Sequence, residues 1–405
     1  MMNQEIYLDY AATQPMAAEA VAAMEQAMED VYGNASAVYR TAARAKQLLE
    51  QSRETIAETI GASPEEIFFT SGGTEGDNWA LNAAADRAAG QDGSDGPRAA
   101  AQRRPQIITT PIEHHAILHT LSYLQDSGRA EAVLADVDEA GRVDPEDICG
   151  RITPQTALVS VMMANNEIGT IEPIREIAWR VRDAAQRQIL FHTDAVQAYG
   201  KIPIDVSRDG MDLMSVSAHK IGGPGGIGFL YIRQGVRFGA FLHGGMQERG
   251  RRAGTENVPA AAGFAAAAQV AVRRMEAEER RERTLQQTFL EELRQGMPDL
   301  ILNGPPIGPE RLANNINVSI PGIVADSALI ALDLGGIAAS AGSACTTGAV
   351  QPSHVLTAIG ADRARAKSAL RFTIGPATTA EELHRTAQVL TAYRDRMRSL
   401  EDEAD

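Results

Sequence analysis

Lys220 follows Ser217 and His219 at the end of an apolar run, DLMSVSAHKIGGPGGIGFLY (212–231), and opens a glycine-rich loop. A lysine desolvated in a pocket of anion-binding donors is a candidate Schiff-base nucleophile, whereas in isolation Lys220 reads equally well as a surface lysine. The lysine precedes the glycines, which excludes a Walker-type phosphate loop. Other apolar runs end in groups that could serve it. ILFHTDAVQ (189–197) delivers Asp194 and Gln197, and an acid in that place must find a partner or be exposed. EIFFTS (66–71) runs into SGGTEGDNWALNAAA, where Gly73 and Thr74 open a helix whose N–H groups suit a phosphate. The same residues also serve ordinary turns and caps. QIITTPIEHHAIL (106–118) ends in His114 and His115, a pair as compatible with a structural role as with a catalytic one. A pyridoxal phosphate enzyme needs a lysine, an acid for the ring nitrogen and an anion cradle. Lys220, Asp194 and the set of Thr74, Ser217 and His219 supply all three.

The remaining chemical signal is a thiol. The chain has two cysteines, Cys149 and Cys345, too far apart in sequence to suggest a disulfide framework. Cys149 lies between Ile148 and Ile152 in a segment of helical spacing and reads as a small buried hydrophobe. Cys345 sits in SAGSACTTGA (340–349), among small residues that favour a loop over a core. MMNQEIYLDY shows neither a basic nor an apolar leader segment, so the expected location is cytoplasmic, with both thiols reduced.

The elements that must position these groups follow from the pattern. Short apolar runs alternate with segments of helical period, such as IEPIREIAWRVRDAA, whose Ile174, Ile177, Ala178 and Val181 share a face. Such alternation implies a mainly parallel sheet flanked by helices, with ligands outside the carboxyl ends of the strands. At 405 residues the chain is expected to form two lobes. These are a large α/β domain at 16–260 and a smaller one built from 1–15 and 261–405, carrying the Cys345 loop at about 340–350. AAGQDGSDGPRAAAQRRP (88–105) has no apolar period and reads as an exposed insertion. The net charge of −15 disfavours direct nucleic-acid binding, although ERGRRAG (248–254) is a candidate basic patch. AAAGFAAAAQVAV (260–272) is too short and alanine-rich to span a membrane and reads as a packed helix.

YLDYAAT, FFTSGGTEGDN, EHHA, ANNEIG, HTDAVQ, SAHKIGGPGGIG, HGGMQERGRRAGTENV, NNINVS, SAGSACTTG and ALRFTIG occur in that order. In these blocks the chain resembles the cysteine desulfurases, the NifS/IscS-type, long-loop branch of the class V aminotransferase superfamily, over nearly its whole length. The resemblance implies the pyridoxal phosphate fold type I and conversion of L-cysteine to L-alanine, with the sulfur left as a persulfide on Cys345. Lys220 would hold the cofactor and later shuttle protons. Asp194 would keep the pyridine nitrogen protonated, His114 would stack on the ring, and Asn166 and Gln197 would reach its phenolic oxygen. Gly73, Thr74, Ser217 and His219 would hold the phosphate, joined by Thr255 from the other subunit of a homodimer. Arg371 would pair with the substrate carboxylate, with Asn166 and Asn34 beside it. No metal is implied.

Some blocks depart from the family pattern. GNASAVY carries Ala35, Ala37 and Tyr39 where Pro, Ser and His are usual, HGGMQ carries Met246, and GPGG carries Gly225. The chain ends at SLEDEAD, without the tail by which housekeeping relatives engage their scaffold, which shifts the expectation away from that partner. The acceptor would be a protein in iron–sulfur assembly, tRNA thiolation or DNA phosphorothioation. Three alternatives stay open: a class V enzyme acting on another amino acid, which would not need Cys345; selenocysteine lyase activity; and a non-enzymatic dimeric scaffold.

Overall fold

The computed structural model describes residues 5–90, 104–184, 189–237, 239–341 and 352–402. In chain order its strands are β1 (Ile6–Tyr7), β2 (Ile67–Thr70), β3 (Gln106–Thr109), β4 (Glu131–Leu134), β5 (Thr156–Ser160), β6 (Leu190–Asp194), β7 (Leu213–Ser217), β8 (Gly228–Ile232), β9 (Ile301–Leu302), β10 (Asn315–Ser319), β11 (Ile337–Ala338) and β12 (Ala369–Thr373). A seven-stranded sheet has the order β2-β8-β7-β6-β5-β3-β4, in which β8 runs antiparallel to both neighbours and the other pairings are parallel. This is the mainly parallel α/β fold that the sequence pattern implies.

Helices cover both faces of this sheet, which is why β5 to β8 read as unbroken buried runs instead of alternating ones. Leu190, Leu213 and Leu230 pack towards the helices Gly73–Ala88 and His115–Asp126, with Trp79, Leu81, Ile117 and Leu121. Their neighbours Phe191, Met214, Phe229 and Tyr231 point the other way, into a core with Leu49, Ile56, Ile177, Val181 and Phe264. A separate core gathers Ile6 and Leu8 with Phe289, Leu293, Val318, Phe372 and Leu390, around the antiparallel sheet β12-β10-β9 and the parallel pair β1-β11.

The helix Val258–Gly296 joins the two cores. Its alanine-rich first half packs Phe264 and Ala267 against the large sheet, and its charged second half packs Phe289 and Leu293 in the other core. It therefore starts well before the charged stretch, at an Asn257 side chain that accepts from the Ala260 amide. Cys149 is half-buried in the short helix Pro145–Gly150, not fully enclosed, and burial pushes its thiol pKa up. Of the expected insertion, residues 91–103 lie outside the described residues. No helix among the described residues is long and apolar enough to cross a membrane.

The ERGRRAG segment makes several internal contacts. Arg252 pairs with Glu75 at 2.9 Å, Arg249 and Arg251 lie over the Phe68 ring, and Glu248 makes a two-pronged ion pair with Arg53 at 2.8 Å. Arg249 remains exposed, and Arg251 and Arg252 are half-buried.

Candidate active site

The carboxyl ends of β2, β3, β6 and β7 open into one cavity of about 550 Å³. It collects Gly73, Thr74, His114, Asn166, Asp194, Gln197, Ser217, His219, Lys220 and Arg371. Thr255 does not line it. That residue is exposed and borders a neighbouring cavity of about 210 Å³, which shares Ser71 and Gly226 with the first. Asn34 is also exposed and away from the cavity, its side chain accepting from the Ser36 amide at 2.9 Å. Cys345 lies outside the described residues.

One wall is the start of the helix Gly73–Ala88. Gly72 holds φ 153°, a backbone state that a side chain would strain, and a Cβ on Gly73 would stand 2.5 Å from Val196 Cγ2. Close approach of this turn to the end of β6 therefore depends on glycine. It leaves the first N–H groups of the helix and the Thr74 hydroxyl at the cavity, opposite Ser217 and His219.

Lys220 stands on a single helical turn, Ala218–Ile221, closed by Gly222 at φ 78°. The chain's first residues strap it in place. Its Nζ donates to the carbonyls of Ala11 at 2.7 Å and Ala12 at 2.8 Å, while Gln14 Nε2 donates to its backbone carbonyl at 2.7 Å. Gln197 Nε2 also donates to the Ala11 carbonyl, at 2.9 Å, and its Oε1 accepts from Lys201 Nζ at 3.1 Å.

Asp194 is buried at the end of β6 and accepts from the Val196 amide at 2.8 Å. Burial raises its pKa to about 6, against the pull of that amide and of the Lys220 charge. His114 caps the helix His115–Asp126, its Nδ1 accepting from the Ala116 amide at 3.1 Å. Burial first, and then Lys220, lower its pKa to about 4, so the ring is neutral at physiological pH. His219 is lowered to about 4 by the same two causes.

Arg371, on β12, reaches the cavity from the other core and is 2% exposed. Its guanidinium donates to Asp9 Oδ1 at 2.7 Å and to the Asn166 carbonyl at 3.0 Å, and its Nε is buried without a partner among the described residues. Sequence reasoning missed the groups that hold these residues: Asp9, Ala11, Ala12, Gln14 and Lys201. Asp9 was in view within YLDYAAT, but nothing local marks an acid as the partner of an arginine 362 residues away.

The sequence matches the class V aminotransferase family model over residues 6–386. The chain belongs to the class V aminotransferase family. Among its relatives, the cysteine desulfurase IscS of Dictyoglomus turgidum is 41% identical over 98% of this chain and 97% of its own length. A solved NifS-like protein superposes with TM-score 0.87 at 33% identity, covering 97% of this chain and all of its own. The structure of SspA in complex with cysteine superposes with TM-score 0.77 at 31% identity, covering 92% of this chain and all of its own.

Proposed function

We propose that the chain is a pyridoxal phosphate-dependent cysteine desulfurase that forms L-alanine from L-cysteine and leaves the sulfur as a persulfide on Cys345. The observation that carries this reading is the single cavity in which Lys220, a buried Asp194, a glycine cradle and Arg371 meet. Cysteine desulfurases among the relatives, and cysteine bound to SspA, support the choice of substrate.

The residues present fit the cofactor. The turn needs glycine at Gly72 for its φ and at Gly73 for its approach to Val196, and it brings the helix start, Thr74, Ser217 and His219 to one cavity, where a phosphate would lie. Asp194 offers a buried carboxylate for a ring nitrogen, a neutral His114 offers a flat face, and Asn166 and Gln197 border the same space. When bound, pyridoxal phosphate supplies an electron sink that acidifies the Cα–H of an amino acid joined to it.

The chain's own groups do the rest. The Arg371 guanidinium, which lines the cavity and is oriented by Asp9 and the Asn166 carbonyl, receives the substrate carboxylate. Lys220 Nζ, held at the Ala11 and Ala12 carbonyls, moves the Cα proton. The Cys345 thiolate attacks the substrate sulfur, an S–S bond forms as the substrate C–S bond breaks, and the carbon is protonated to give alanine. The exposed Thr255 completes the phosphate site of a second copy in a homodimer, consistent with its place beside Ser71 but outside its own chain's cavity. A protein thiol then takes the sulfur, in the cytoplasm. Borohydride reduction of the yellow holoenzyme and peptide mapping should place a pyridoxyl group on Lys220. A label on another lysine, or no cofactor after reconstitution, rejects the assignment.

A further inference from the structure

Beneath Asp194 the helix Gly73–Ala88 places a second carboxyl, Asp77, that the proposed reaction does not use. Asp77 is 1% exposed, and its Oδ1 has no hydrogen-bond partner among the described residues. Ligand-capable atoms of Asp77, Asp194 and His114 lie within 4.8 Å of one another. The helix comes this close to the sheet because residue 76 is glycine: a Cβ there would stand 2.8 Å from Ser215 Oγ.

The groups facing Asp77 come from several elements. Ser215, on β7, hydrogen-bonds to it. His192, on β6, brings Nε2 to 3.7 Å from its Oδ1. The same ring is held between Ser160 Oγ at 2.8 Å and Ser215 Oγ at 3.0 Å, and complete burial lowers its pKa to about 3, so it is neutral. Glu113, before the helix His115–Asp126, is buried and accepts from the Met162 amide and the Thr110 hydroxyl. Lys220 acts on Asp194, which also has the Val196 amide. Asp77 has neither of these supports, and among the described residues no cation is set against it. Two buried carboxylates at this separation cannot both carry charge at neutral pH, and the unsupported one keeps the proton. Burial and the Asp194 charge both push Asp77 well above the ordinary carboxylate range.

We propose that Asp77 is a positioning residue that stands as the neutral acid, so that the pair carries one negative charge and that charge is held on Asp194. The effect on a bound cofactor rests on the pyridoxal phosphate reading; the protonation state of Asp77 does not. A neutral Asp77, backed by Ser215 and a neutral His192, keeps the floor of the cavity at a single charge through the physiological range.

Infrared difference spectroscopy of the cofactor-free full chain, wild type against Asp77→Asn, tests the state directly. A carboxylic-acid C=O band that is present in wild type from pH 6 to 8 and lost in the variant is expected, and no such band overturns the proposal. In Asp194→Asn that band should give way to carboxylate at a pH lower by about one unit or more, since the like charge is gone. No movement breaks the coupling between the two residues and overturns the pairing. In holoenzyme, Asp77→Asn should leave the pH midpoint of the cofactor's absorbance within about 0.3 units of wild type, because one neutral group replaces another. A larger downward shift shows that a charge was removed and sinks the proposal. If no cofactor binds at all, the functional reading fails while the infrared result still decides the state of Asp77.

Discussion

Replacing Arg371 by lysine keeps the charge and removes the fork. In the structure that fork is already divided: one nitrogen donates to Asp9 at 2.7 Å and a second to the Asn166 carbonyl at 3.0 Å, while the residue lines the cavity. A lysine ammonium is a point donor on a flexible stem and cannot hold Asp9 and Asn166 while presenting a further donor to a carboxylate. At a position 2% exposed, water cannot replace what is lost. Losing a charge-assisted hydrogen bond in such a place costs about 1.5–3 kcal/mol, or about a 10- to 150-fold fall in kcat/KM. The carboxylate is remote from the sulfur that reacts, so the interaction is the same in ground and transition states and the loss falls on KM for L-cysteine. Initial rates of alanine release across a range of L-cysteine concentrations separate the two parameters. A tenfold or larger rise in KM with little change in kcat is expected. An unchanged KM, with or without a lower kcat, refutes the placement of the substrate carboxylate at Arg371.

The Arg53–Glu248 pair is buried on both sides, at 3% and 2% side-chain exposure, and Glu248 also accepts from the Phe69 amide at 3.0 Å. Glu248→Ala leaves the buried Arg53 guanidinium with Glu50 at 3.3 Å and the Ile67 carbonyl at 2.8 Å, and should cost about 2–3 kcal/mol in urea unfolding, below the cost of a fully uncompensated charge; a cost below about 1 kcal/mol would show the pair to be dispensable. Glu172 is buried with one oxygen unpartnered among the described residues, and burial raises its pKa from 4.5 to about 8. A raised acid contributes stability that is full below its unfolded pKa and is lost as pH rises through the folded one. The stability of Glu172→Gln relative to wild type should therefore climb by about 1–3 kcal/mol between pH 5 and pH 8. A flat difference across that window in chemical unfolding contradicts the assignment.

The alternation of apolar runs and helical segments was enough for the α/β sheet, because strands covered on both faces leave an unbroken apolar signature. The same runs located Asp194, Ser217, His219 and Lys220, since parallel strands deliver their last residues to one rim. What the sequence did not show is what closes the site. Asp9 pairs with Arg371, and the carbonyls of Ala11 and Ala12 hold Lys220, because β1 returns to pair with β11 some 330 positions later. Contacts of that span leave no local periodicity. Asp77 was hidden for a different reason: in sequence it is one acid in the first turns of a helix, and its burial against Ser215 depends on the glycine before it. The internal partners of ERGRRAG, Glu75, Arg53 and Phe68, were out of reach because they lie far from it along the chain.

The most direct measurement is the mass of the peptide containing Cys345 after holoenzyme is mixed with L-cysteine and quenched without reductant. One added sulfur on that peptide, removable by reductant and accompanied by alanine, is the expected result, with the Cys149 peptide unchanged. Cys345→Ser should still bind L-cysteine, seen as a change in the visible spectrum, yet release no sulfide. Alanine and sulfide released by the serine variant at the wild-type rate would contradict the proposed reaction and leave a lyase that needs no thiol of its own.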